Sequence, residues 1–274
     1  MSVGPPSGPR RSEEGGPAGL ASAALRLARR FDGAPPGATP PPAARRAPLG
    51  RARTSTTRDV LSLYEGAPAG VRAHVRVRWA TCPFRAVVAQ LPPGGRVLEL
   101  GCGYGLFSLL AAVSSPGRSV VGVDVDEGKI AHGRAAAVNA RERGAECEIA
   151  TASPGQIPAG PWDAIAVVDV LYLLDEATQR ALLRQCARQL VPGGVLAVKE
   201  MAPAPAWKAR WNVLQETMAV RVMGITQGGS GFTFVAPSEL GEWMMVDGLT
   251  VRQLSLHRGH PHPHHLVLGG RPLL

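Results

Sequence analysis

Gly101, Gly103 and Gly105 alternate through VLELGCGYG at 97–105, where an apolar run gives way to a helical one. Without a Cβ at these positions a strand can turn sharply into a helix, and a ligand can lie against bare backbone. Asp124 ends the next apolar run, SVVGVD at 119–124. A carboxylate there can accept both hydroxyls of a ribose. Adjacent parallel strands end at one sheet edge, so the bare turn and the acid converge on a nucleoside pocket. The glycine spacing narrows the choice further. A dinucleotide fold wants G-x-G-x-x-G, whereas Leu106 stands where the third glycine belongs, and no Gly-Lys-Ser/Thr follows to make a phosphate loop.

The elements that must position these residues alternate between short apolar and longer amphipathic runs from residue 59 onward, the pattern of β–α units around a parallel sheet. Strands are predicted over 96–100, 119–124, 146–150, 162–169 and 194–200. Helices are predicted over 106–113, 126–143 and 175–190, the last opened by Asp175 and closed by Pro192-Gly193-Gly194. Upstream, 59–64 and 74–90 read as one or two short helices covering the sheet. Downstream come a helix over 206–223, a flexible loop at 227–231 (QGGSG), a helix over 237–246, and two strands, 250–256 and 265–268, as an antiparallel hairpin.

The combination of Glu99, the glycines at 101, 103 and 105, and Asp124 beyond them resembles motif I and the second-strand acid of the class I S-adenosylmethionine-dependent methyltransferases. The resemblance runs from about Arg96 to Glu200 and, weakly, through the terminal hairpin. It implies a Rossmann-like, mostly parallel seven-stranded α/β sheet with a C-terminal antiparallel hairpin and helices on both faces. It also implies S-adenosyl-L-methionine as the cofactor. Gly101, Cys102 and Gly103, with Gly105, would lie against its methionine and ribose portions, Asp124 would hold the ribose hydroxyls, and Val125 would pack on adenine. Glu99 would organise the loop or reach the cofactor's amino group through water. Asp169 would sit beside the methionine moiety, with Val170 among the cofactor contacts. The chain departs from the family pattern after the third strand, where ATAS at 150–153 replaces an acid; Thr151, Ser153 or backbone would then meet the adenine amino group.

A sulfonium methyl is already activated, so transfer needs an in-line nucleophile held close. A hydroxyl or ammonium acceptor also needs a base within hydrogen-bond reach. Candidates at the carboxyl edge are Asp169, Tyr172, Lys199 and Glu200. Lys199 and Glu200 are adjacent on a strand, so only one can face the pocket. His262, in the segment 257–265 that holds five of the seven histidines, is a further candidate. Metal binding by that segment is not expected, because two prolines keep the backbone extended and alternate histidines diverge. The insertion at 201–246, with Trp207, Trp211 and Trp243, is expected to shape an acceptor site or simply to bury a helix face.

The fourth strand carries Asp169-Val-Leu-Tyr172 instead of the Pro-Pro-aromatic signature of DNA aminomethyltransferases, and Asp175-Glu176 reads as a helix cap instead of a paired-glutamate loop. The resemblance therefore implies methyl transfer to a small-molecule or lipid-like acceptor at O, N or C. A cofactor-binding module without turnover and a nicotinamide-dependent oxidoreductase are the alternatives.

Composition sets the boundaries. Residues 1–50 hold 10 of the 25 prolines and 8 of the 33 glycines, a density at which a non-periodic segment stays unfolded, so 1–58 is expected to be a disordered tail and 59–274 a single domain. Residues 1–60 carry ten arginines against four acids, +6 of the formal +9; the high pI mostly reports the tail, and no specific nucleic-acid partner is expected. Four scattered cysteines without a CxxC pair fit a reduced compartment. No apolar run approaches the ~18 residues of a membrane span. Cytoplasm is the expected location, although 18–27 faintly resembles a transit peptide.

Overall fold

The computed structural model describes residues 57–201, 233–256 and 263–273. Five strands run parallel: β1 (Gly94–Leu100), β2 (Gly117–Asp124), β3 (Glu146–Thr151), β4 (Trp162–Val168) and β5 (Leu190–Met201). The chain then adds β6 (Thr250–Ser255) and β7 (His264–Gly270). β7 inserts antiparallel between β5 and β6, which gives one sheet in the order β3-β2-β1-β4-β5-β7-β6. This is the expected mostly parallel seven-stranded sheet with a terminal hairpin.

Both faces of the sheet are buried, which is why the central strands read as continuous apolar runs. Along β4, Ala164, Ala166 and Val168 pack on one face while Ile165 and Val167 pack on the other. The first face meets α2 (Ala69–Thr81), α3 (Phe84–Val88), α4 (Leu106–Ser114) and α5 (Glu127–Glu142). The second meets α6 (Glu176–Gln189) and α7 (Pro237–Val246). Side chains at Asp126 and Asp175 accept from the main-chain N–H of Lys129 and Thr178 at 3.0 and 2.9 Å, capping α5 and α6. Each cap of this kind stabilises a helix by about 1 kcal/mol.

Several boundaries differ from the sequence reading. The stretch 74–90 holds the end of one helix and the whole of another, with Pro83 just before the second helix, because Cys82 precedes the proline and is driven into the extended region (φ −112, ψ 131). The segment 59–64 divides into α1 (Thr57–Leu61) and one 3-10 turn, Ser62–Tyr64. Pro192-Gly193-Gly194 does not close α6. The helix ends at Gln189, and these residues lie within β5, whose pairing with β4 shifts register between Trp162 and Ala164. A proline is tolerated in a ladder at such an irregularity. The tail through 56, the helix over 206–223 with Trp207 and Trp211, the 227–231 loop and the histidine segment 257–262, His262 included, fall outside the described residues.

Candidate active site

Three left-handed glycines shape the turn after β1: Gly101 (φ 72), Gly103 (φ 53) and Gly105 (φ 78). They are bare for different reasons. A Cβ on Gly101 would sit 2.4 Å from Val170 Cγ2, and one on Gly105 would sit 2.9 Å from Ile149 Cδ1. A Cβ on Gly103 would meet nothing closer than Lys129 Cδ at 3.8 Å. Packing demands the outer two, whereas the middle glycine presents open backbone. The loop bends back over β2, with the N–H groups of Gly101 and Cys102 donating to the Val123 carbonyl at 2.8 and 3.0 Å. Cys102 is itself buried among apolar residues beneath the loop.

Asp124 meets this loop directly. Its Oδ2 accepts from the Gly103 N–H at 2.8 Å and its Oδ1 from the Asp126 N–H at 2.9 Å. A carboxylate offers about four lone-pair sites. Each oxygen of this half-exposed group therefore keeps capacity for a ribose hydroxyl. The expected convergence of bare turn and acid is thus present, linked by one hydrogen bond, and the open face at Gly103 with the spare acceptor capacity at Asp124 fits an adenosyl group.

Glu99 is held by the helix that follows the loop. It is buried, and its Oε2 accepts from both the N–H and the hydroxyl of Ser108, the N–H at 2.9 Å. It therefore ties β1 to the first turn of α4. Burial pushes its carboxyl up to about 7, against the opposing pull of the two Ser108 bonds. Val125 stands exposed just past Asp124, and Thr151 is the Cα partner of Asp124 at the end of β3. Arg134 Nη2 donates to Thr151 Oγ1 at 3.4 Å, while the N–H of Ala152 donates to the Asp124 carbonyl at 2.9 Å.

The other half of the rim is a buried charge cluster. Asp169 follows β4 with φ 56, a conformation rare for a residue with a side chain. Lys199 Nζ donates to both its oxygens at 2.6 and 2.7 Å, and Arg78 Nη2 donates to Oδ2 at 2.9 Å. Burial alone would raise the Asp169 carboxyl, but these two cations outweigh it and hold the group well below the usual carboxylate range. Glu200 points to the opposite face from Lys199. Its Oε1 accepts from the N–H groups of Val170 and Leu171 at 3.1 and 2.9 Å, while its Oε2 is buried with no hydrogen-bond partner. Burial, with the Asp169 charge adding to it, pushes Glu200 well above the usual range. Tyr172 is buried, stacks on Phe234 at 5.5 Å between ring centroids, and is also raised by burial.

Sequence reasoning missed two contributors. Tyr64 donates its hydroxyl to the Tyr104 carbonyl within the glycine loop at 2.8 Å, and Arg78 reaches Asp169 across 91 positions of sequence. Both come from helices whose spacing announces only an apolar face; the sole hint is that Arg78 lies one turn from His74, whose ring packs 5.0 Å from Tyr104.

A family model described as a methyltransferase domain matches residues 97–194, the span from β1 to the start of β5. The chain is 30% identical over 173 residues to the ubiquinone biosynthesis O-methyltransferase of Xanthomonas axonopodis pv. citri, covering 62% of this chain and 69% of that one. The corresponding Pseudomonas aeruginosa enzyme is 31% identical over 170 residues, covering 59% and 67%. Among solved structures, an O-methyltransferase family protein from Burkholderia thailandensis aligns with TM-score 0.56 at 19% identity, covering 75% of this chain and 59% of that chain. Magnesium protoporphyrin IX methyltransferase from Synechocystis PCC 6803, with bound S-adenosylhomocysteine, aligns with TM-score 0.54 at 19% identity, covering 77% and 91%. The sheet order, the bare turn and its acid define a nucleoside-binding α/β enzyme. The chain belongs to the class I S-adenosylmethionine-dependent methyltransferases, and it uses S-adenosyl-L-methionine to methylate a small-molecule acceptor.

Proposed function

We propose that the methylated atom is an oxygen on a small hydroxylated acceptor. The two curated relatives described above are O-methyltransferases, which supports the choice of atom. In this reading Gly101, Cys102, Gly103 and Gly105 cradle the cofactor with their main chain, and Asp124 accepts the ribose hydroxyls. Val125 and Thr151 flank the adenine, while Asp169 and Val170 flank the methionine end, with the Asp169 charge already balanced by Lys199 and Arg78. The cofactor, when bound, supplies an electrophilic methyl on a sulfonium. The chain's own task is to hold the acceptor oxygen in line and keep water away. Residues 59–274 act as one methyltransferase domain, with 201–246 shaping the acceptor site and 1–58 as a dispensable tail. A cytoplasmic location fits that domain; no described helix is long and apolar enough to cross a membrane.

The observation that carries the cofactor reading is the 2.8 Å bond from the Gly103 N–H to Asp124, beside a backbone face that only the Lys129 side chain approaches. Calorimetry with S-adenosylhomocysteine tests it. Asp124→Ala should weaken binding by about 100-fold, the loss expected when hydrogen bonds to a charged group disappear. Unchanged affinity would show that the ribose lies elsewhere.

A further inference from the structure

We propose that Glu200 is the general base of the transfer, taking the proton of an acidic hydroxyl on the acceptor through its Oε2 atom. The proposal rests on the methyl-transfer reading of the site and assigns it both a base and an acceptor class, a phenol or enol. Three observations carry it. Glu200 lies at the carboxyl end of β5, gripping with Oε1 the N–H groups of Val170 and Leu171, so one oxygen is fixed in place. Val170 is the residue whose Cγ2 crowds Gly101, so the turn held by Glu200 packs directly against the glycine loop. The second oxygen, Oε2, is buried without a partner, and a buried polar atom left unsatisfied is costly unless a ligand completes it.

The charges around it favour the same role. Lys199, the adjacent residue, is bound to both oxygens of Asp169 and directed to the other face of the sheet. Arg78 of α2 also pairs with Asp169. Tyr172 and Asp169 flank Glu200 from the end of β4, Cys82 lies 3.7 Å from Asp169, and His265 is its cross-strand partner on β7, next to His264. No cation is paired with Glu200 itself among the described residues, and burial with the Asp169 charge raises its basicity against the weaker opposing pull of the Leu171 and Val170 N–H groups and the Lys199 charge. A carboxylate made this basic matches an acidic hydroxyl far better than an ordinary carboxylate does. In the balanced step, the acceptor O–H proton passes to Glu200 Oε2, the new O–C bond forms, and the C–S bond breaks with its electron pair kept by sulfur.

The test uses the full chain, S-adenosylmethionine and a panel of phenols and catechols, with release of S-adenosylhomocysteine as one readout. Glu200→Gln preserves size and the Oε1 acceptor, so cofactor affinity should stay within about twofold while phenol turnover falls by about 10²–10⁴-fold. The wild-type rate should rise with pH and level off at alkaline pH, and that dependence should vanish in Glu200→Gln. A second readout needs no turnover: the infrared difference between wild type and Glu200→Gln should contain a protonated-carboxyl band below neutral pH that disappears at alkaline pH. The proposal is overturned if Glu200→Gln stays within about threefold of wild type, if the wild-type rate falls as pH rises, or if only N, S or C acceptors are methylated. Failure of the wild type to bind S-adenosylhomocysteine at all would instead remove the reading beneath it.

Discussion

The two halves of the carboxyl rim are built on opposite principles. On the β1–β2 side the chain makes its site mostly from main chain: three glycines, one carboxylate and hydrogen bonds from the loop to the end of β2. On the β4–β5 side it buries Asp169, Lys199 and Glu200 together and anchors them to α2 through Arg78. In the proposed reading the first arrangement takes the cofactor against bare backbone, and its parts cost little to hold. The second buries opposed charges, whose pairing repays desolvation only while every partner is present. Binding and chemistry should therefore respond differently to mutation on the two sides.

The largest effect is expected from Lys199→Met, which leaves Asp169 buried with one cation fewer. Stability should fall by about 3–5 kcal/mol by urea denaturation, and a change under about 1 kcal/mol would mean that Arg78 alone balances the carboxylate. Gly101→Ala comes next, with about 2–4 kcal/mol lost, because its Cβ meets Val170 Cγ2 at 2.4 Å in a left-handed residue. Gly103→Ala should cost only about 1–2 kcal/mol of stability, its Cβ meeting only the Lys129 side chain at 3.8 Å, while Gly103→Val should abolish cofactor binding by occupying the ligand's side. Equal stability losses at 101 and 103 would erase the distinction between packed and bare glycine.

Smaller again is the pH dependence of folding. Glu99 is raised to about 7 from 4.5, so across that interval the folded chain holds a proton that the unfolded chain releases. Its contribution is complete below the unfolded value and is lost as pH rises through about 7. The urea midpoint should decline from acidic toward neutral pH, and the slope should be shallower in Glu99→Gln; a midpoint that climbs over this range would contradict the burial assigned to Glu99. Removing residues 1–50 should change the melting temperature and turnover least of all, and a marked loss would give the tail a structural role.

How much was legible from sequence follows the same division. The glycine loop and Asp124 could be read because their spacing is local and their geometry is a property of backbone. The strands were readable because burial on both faces leaves mostly apolar residues in the central ones. The start of a helix at Pro83 was readable from the proline itself, whereas the continuation of β5 through Pro192 was missed, since it depends on which neighbours supply or release a hydrogen bond. Lys199 and Glu200 were correctly separated by the pleat of a strand. Their partners were not foreseeable, because an ion pair across 30 positions and another across 91 leave no periodic trace. The left-handed conformation of Asp169 likewise has no compositional sign.

The antiparallel insertion of β7 has an engineering consequence. Met201 pairs with His264, and Leu256 donates its N–H to the His264 carbonyl, so the chain leaves β5 and crosses from β6 to β7 at one corner of the domain. Segments 202–232 and 257–262 are therefore attached at neighbouring ends of the ladder, and exchanging them is expected to leave the β5–β7 and β6–β7 pairings in register. Substrate preference could then be retailored in this scaffold by cassette replacement at a single doorway.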